Sequence, residues 1–458
     1  MSSTTTTATR PIIWQQVIIN ALRYALAMVF IFSAFVKATD PMGTVIKLEE
    51  YIGAFGIQGF DTPRLLRWCA MGLCLVEFLP AICLLFGIHR RKALMTMLVF
   101  VSIMLPVTFY LALANPISDC GCFGDAVKLT NWQTFFKNIV LLAMIVPVLI
   151  NQEMITRLIS EQVQWTIVCF AFVSLLLYMQ WNLRHLPAID FRPYRIGADI
   201  RAGMETPDDA PAPVYETLFT LEKDGVTEEF SADDYPYADS TWHFVGSRTR
   251  LIDAGYVPPI QNFELIDVET GDDLTDDILD APYALLLVMP QLRDRGNTDI
   301  LSDLYDYAQM YDYPFYALTS AGEGDIERWR NETGAIYPFC QLDETVLQTI
   351  NRSHTGLVLL REGVVVNKWS SNDLPTDEML DDELSALPWA EKDASAVHHR
   401  YAAIAVWMFF PYLFLGLLAF FGERIWRAKH PGGEVRQSLI EKQKAKHQAE
   451  REERRKTK

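Results

Sequence analysis

Two of the seven cysteines in this 458-residue chain, Cys120 and Cys122, are separated by one glycine in the polar segment SDCGCFGDAVKLT. A thiolate attacks a disulfide only where it is accessible and partly ionised. Gly121 gives the backbone the sharp bend that a bond across a single residue requires. So small a ring is strained, and strain raises the reduction potential. Two readings of the pair therefore stand side by side: a disulfide that is passed on to another protein, and a permanent clip that shapes the loop. A metal site is the poorest reading, because no histidine lies nearby and zinc as a rule takes four ligands.

Four of the other cysteines, Cys69, Cys74, Cys83 and Cys169, lie in apolar runs, and Cys340 stands in an acidic block. Cys69 falls near the outer end of its run and Cys74 lies deeper. Either is a candidate relay to the C-x-C loop; the competing reading is packing as a small apolar residue. Glu77 is the sharpest oddity, a carboxyl near the middle of an apolar run. A charge there costs at least about 2.5 kcal/mol, so it is protonated, paired or turned to a polar cavity. Arg23 in the preceding run is a candidate partner. The functional reading of Glu77 is a proton or quinone site, with a quinone as the candidate cofactor. The structural reading is an interhelical contact that fixes a bundle.

Six apolar runs must position these groups, at residues 17–36, 66–87, 93–114, 135–150, 163–181 and 401–421. Each approaches the roughly 20 residues that cross a bilayer. The basic loop HRRK lies between runs two and three, and residues 423–458 hold 12 basic against 6 acidic residues. Placing both inside puts both chain termini inside, and the C-x-C loop and the segment between runs five and six outside. That segment, residues 185–397, carries 42 acidic against 14 basic residues. Such a balance repels phosphate and argues against nucleic acid as a partner. The basic tail is expected to orient the chain and to touch anionic lipid.

The strings FIFSAFVKATDP, with Lys37 and Pro41, and SDCGCFGDAVKLT resemble the DoxX/MauE-like membrane proteins, whose unit is a four-helix bundle. HLPAIDFRPYRIG is similar to a stretch found in Bacteroidetes-type DoxX proteins between a further helix and a thioredoxin-like domain. Residues 259–372 resemble thioredoxin-like domains of the TlpA type. Such domains carry C-x-x-C after their first central strand, where this chain has Met289-Pro290-Gln291-Leu292. The resemblance implies an inner-membrane helical bundle with a periplasmic α/β thioredoxin-like domain. The expected division is a cytoplasmic N-terminus (1–11), a four-helix membrane domain (12–150), a fifth transmembrane helix (163–182), a linker and β-rich subdomain (186–258), a thioredoxin-like domain lacking C-x-x-C (259–390), a sixth transmembrane helix (401–421) and a basic cytoplasmic tail (422–458).

Within the outer segment, VYETLFTLEKDGVTEEF reads as two strands around Asp224-Gly225, and TGLVLLREGVVVNKW as a hairpin turning at Glu362-Gly363. NFELIDVETGDDLT reads as another hairpin, YALLLVM and YPFYALTS as strands, and DILSDLYDYAQMY and EGDIERWRNETG as helices. The Asp-rich turns lack the spacing of a calcium loop. Two functions follow as expectations. The first is thiol–disulfide or quinone-linked redox chemistry on periplasmic proteins, as the resemblance to MauE-like proteins implies. The second is non-enzymatic: an envelope assembly or scaffolding factor whose degenerate thioredoxin-like domain binds a protein partner.

Overall fold

A computed structural model of the chain describes residues 13–391, apart from positions 58, 60, 61, 118, 160–163, 238, 254, 294 and 295, together with residues 401–404, 406, 407, 410–412, 414, 416–418, 421, 422 and 425. The chain divides into two compact units, residues 1–191 with 393–458, and residues 192–392. The N-terminal segment, the basic tail beyond residue 425 and parts of the sixth run lie outside the described residues.

The first unit is helical. Helices α1 (Ile13–Thr39), α2 (Pro41–Ala54), α3 (Pro63–Phe86), α4 (Arg90–Ala114), α5 (Asn131–Ile150) and α6 (Gln164–Arg184) follow in order. All except α2 are long and apolar enough to cross a membrane. Their boundaries follow from local chemistry. Asp40 accepts a hydrogen bond from the Gly43 amide and Pro41 occupies the first turn, so α2 restarts directly after α1. Thr130 and Gln133 form a reciprocal capping box that starts α5 at Asn131, four residues before the apolar run begins. Pro80, Pro106 and Pro147 sit inside helices, which membrane helices tolerate because neighbours take up the freed backbone groups.

Small and aromatic residues close the interior: Ala27, Phe30 and Ala34 of α1 meet Phe78, Ala81 and Ile82 of α3 in one buried cluster. Apolar side chains such as Ile18, Met28, Val99, Ile103 and Phe136 remain exposed on the outside, as a lipid-facing surface requires. Exposed tryptophans mark the two ends of the bundle. Trp14 and Trp165 stand at the starts of α1 and α6, whereas Trp68, Trp132 and Trp181 stand at the opposite end. Among the described residues of the sixth run, Tyr412 is buried, bonded to Ser174 and edge-on to Phe78 and Phe170.

The second unit is α/β. A three-stranded antiparallel sheet runs β2 (Val226–Ser231), β1 (Val214–Lys223), β3 (His243–Asp253). The β1–β2 turn is Asp224-Gly225, both at positive φ, the conformation that suits a two-residue hairpin. The sequence reading contained the first two strands; β3, which pairs along most of β1, is an addition. The larger sheet has six strands in the order β4 (Ile266–Asp267), β7 (Phe339–Gln341), β6 (Phe315–Thr319), β5 (Ala284–Val288), β8 (Gly356–Arg361), β9 (Val364–Ser370). Strands β5, β6 and β7 are parallel neighbours; β5–β8 and β8–β9 are antiparallel. All five residues of β5 are buried, which explains the unbroken apolar string ALLLV. Glu362 and Gly363, both at positive φ, make the β8–β9 turn.

Candidate functional site

Helical spacing sets the first half of the site. Ser33 and Lys37 are four residues apart on α1 and share a face; Cys74 and Glu77 are three apart on α3 and share another. The two faces meet. Lys37 Nζ donates to Glu77 Oε1 at 2.7 Å and Oε2 at 2.9 Å, and to Ser33 Oγ at 2.9 Å. Lys37, Glu77 and Ser33 are all buried. An apolar interior strengthens each of these contacts, and each charge is tolerated there only because the other is present. Ser33 Oγ lies 2.8 Å from Glu77 Oε2 and also 2.8 Å from the Cys122 carbonyl oxygen. A hydroxyl has one proton, so Ser33 holds either the carboxylate or the loop.

The second half is the loop between α4 and α5. Cys120 is buried with Leu111 and Ile117, whereas Cys122 is half-buried. Both carry free thiols, and the two sulfurs share a hydrogen bond at 2.9 Å. The loop is clasped from several sides. Tyr51 of α2 donates to the Cys120 carbonyl at 3.0 Å, and Asp119 accepts from the Gly121 amide at 2.8 Å. Lys47 reaches Glu50 at 2.8 Å and Asp119 at 3.4 Å. Phe123 packs on Phe32, and Lys137 of α5 lies over its ring at 4.8 Å. The hydrogen bond from Cys120 holds the Cys122 thiol below the usual range, helped by Lys137 and Lys37; the same bond and burial push the Cys120 thiol up. Of two chemically identical groups, Cys122 is therefore the more easily ionised, and as a residue the less buried.

Gly121 has φ +65, and a Cβ there would stand 3.0 Å from Cγ of Lys47. Gly121→Ala is expected to cost about 1–2 kcal/mol in local backbone strain. The expected readout is slower closure of the Cys120–Cys122 disulfide, followed by alkylation of the remaining thiols. Unchanged closure would show that the bend does not need glycine.

Arg23 does not partner Glu77. It sits fully buried, donating to the Thr156 carbonyl and, at 2.6 Å, to the Tyr24 hydroxyl. Helices α1 and α3 run antiparallel, so Ser33 faces Glu77 and Arg23 lies ten residues away, against Gly87. Ten residues are about 15 Å of helix, beyond any arginine's reach. Lys37, which the sequence reading left just past the end of its first run, takes the place instead because α1 continues to Thr39. The i, i+4 spacing puts Ser33 and Lys37 on one face, but only the antiparallel packing of α1 on α3 brings that face to Glu77.

The two candidate relay thiols differ. Cys74 is buried on the Glu77 face of α3, whereas Cys69 is exposed. Five residues turn a helix by about 140°, so the two cannot share that face. Cys340 is buried in β7, between β6 and β4.

Residues 15–151, spanning α1 to α5, match the family model described as methylamine utilisation protein MauE. Residues 215–254, the three-stranded sheet, match a domain of unknown function, DUF8463. No curated protein and no solved structure matches the chain. The MauE match and the five membrane-capable helices make this a multi-pass membrane protein whose outer surface contacts the lipid bilayer.

Proposed function

We propose that the chain is an inner-membrane thiol–disulfide exchanger, or the membrane half of one, acting on periplasmic proteins through Cys120 and Cys122. The observation that carries this reading is the asymmetry of the pair. A half-buried cysteine with two lysines near it is hydrogen-bonded to a buried one, and the bond makes the first the easier to ionise. In the oxidised form a partner's thiolate attacks Cys122 Sγ, the bond between Cys122 and Cys120 breaks, and Cys120 takes up a proton. The partner's second thiolate then attacks the mixed disulfide, and Cys122 leaves as the stabilised thiolate. The partner loses two electrons and gains a disulfide; the C-x-C pair gains the two electrons. Repeated turnover needs an electron acceptor, and a lipid quinone dissolved in the same bilayer is the class proposed here, with Glu77 as the nearby carboxyl. The resemblance of residues 15–151 to MauE-like proteins supports a role in redox maturation.

The α/β unit is proposed as a thioredoxin-like binding module. Parallel β5 and β6 next to a closing antiparallel β8–β9 hairpin support that assignment. Met289 and Pro290 are buried and Gln291 is exposed where a C-x-x-C would stand, so the module presents partners and does not itself react. Orientation follows from the basic inner loops, with both chain termini cytoplasmic and residues 185–397 periplasmic. The test is a titration of the full chain in nanodiscs against dithiothreitol redox buffers, read by the mass added on alkylation. The expected result is a reversible change at Cys120 and Cys122 together. A pair that stays oxidised at strongly reducing poise would be a structural clip, and the scaffolding reading would replace exchange.

A further inference from the structure

We infer that the buried Lys37–Glu77 ion pair controls the redox balance of the C-x-C loop, its two charges acting on Cys122 with opposite sign and Ser33 holding the loop within their reach. This rests on the exchange reading above and assigns a task to groups that exchange alone does not use. The physical link is the Ser33 hydroxyl, which touches both the carboxylate and the Cys122 carbonyl while accepting from Lys37. The charged and titratable groups facing Cys122 are Lys37 from α1, Tyr51 from α2, Glu77 from α3, Lys137 from α5, and Cys120 within the loop.

The direction follows from charge. With Cys122 as thiolate, the lysines and the two anions balance inside an apolar surround. Closing the disulfide removes one of those anions and leaves a net positive charge in the cluster. Lys37 therefore favours the reduced pair, and Glu77 opposes it. Stabilising the reduced form makes a disulfide a stronger oxidant. A bundle brace would have no such sign.

The test measures the midpoint potential of Cys120 and Cys122 in the full chain, in nanodiscs at pH 7, against dithiothreitol redox buffers. Lys37→Met is expected to lower the dithiol–disulfide equilibrium constant about tenfold, and Glu77→Gln to raise it about tenfold, each about 30 mV. Lys37→Arg keeps the charge and should leave the potential near that of the natural chain. The double variant Lys37→Met with Glu77→Gln buries no unpaired charge, so it supplies a folded protein even if the single variants do not fold. Its potential should stay within about 30 mV of the natural chain, because two opposing charges leave together. If the single variants move the potential the same way, or the double variant moves it further than that, this inference fails while exchange stands. If the natural pair does not titrate at all, the exchange reading itself fails.

Discussion

Lys37→Met alone is expected to destabilise the membrane unit by about 3–5 kcal/mol, and Glu77→Gln alone by a similar amount. Each leaves one charge buried in an apolar interior without its counterion. The pair joins α1 to α3 at 2.7 Å with both side chains nearly inaccessible, so water cannot repay the loss. The double substitution should recover most of it, since neither of the two neutral side chains, similar in length to those they replace, leaves a buried charge without a counterion. Thermal unfolding of the three variants in one detergent, with the coupling taken from the double-mutant cycle, measures this. Additive losses would mean that the two groups are held independently of each other. The result also fixes how the potentials of the single variants are to be read, because a variant that unfolds cannot report a redox shift.

The second large effect separates the two thiols. Cys122→Ser is expected to abolish disulfide exchange, a loss of at least about 100-fold, because the more easily ionised sulfur is gone. Cys120→Ser should keep the attack of Cys122 on a disulfide but leaves the chain no second thiol to release the bound probe, so a mixed disulfide between Cys122 and a single-thiol peptide should accumulate. A small dithiol peptide and its oxidised form serve as probes of exchange and the disulfide of a single-thiol peptide as the trap, with trapped species read by intact mass. The pH profile carries a sign. Cys122 is held below the usual thiol range, so its alkylation should persist as pH falls through that range and decline only below it. Cys120 is pushed above the range and should remain slow at neutral pH. Equal reactivity of the two thiols would remove the assignment of Cys122 as the attacking sulfur.

Much of the framework was legible in residue order. Apolar length gave the five described spans, and Asp224-Gly225 and Glu362-Gly363 fixed two hairpins through the positive φ that those dipeptides accept. What escaped was pairing at a distance. Strand β3 has no strong alternation, and its place beside β1 is decided by the partner strand. The same holds for β7, three residues long, whose parallel pairing with β6 no local pattern announces. At the site, the oddity of Glu77 and the C-x-C spacing stood out by chemistry alone. The partner of Glu77 did not, because an apolar window ended the first run at Val36 and left Lys37 outside it, while the helix runs on to Thr39. Nor could the sequence place Ser33, an unremarkable residue in an apolar run, against both the carboxylate and the Cys122 carbonyl.

The most direct measurement traps thiols in intact cells with an impermeant alkylating reagent, lyses them, reduces, and labels the newly freed thiols with a second reagent of different mass. The account predicts that Cys120 and Cys122 carry a mixture of both labels, and that the ratio moves when a reductant is added outside the cells. A pair that carries only the second label under every condition, with Cys120→Ser lowering protein abundance and nothing else, would contradict it.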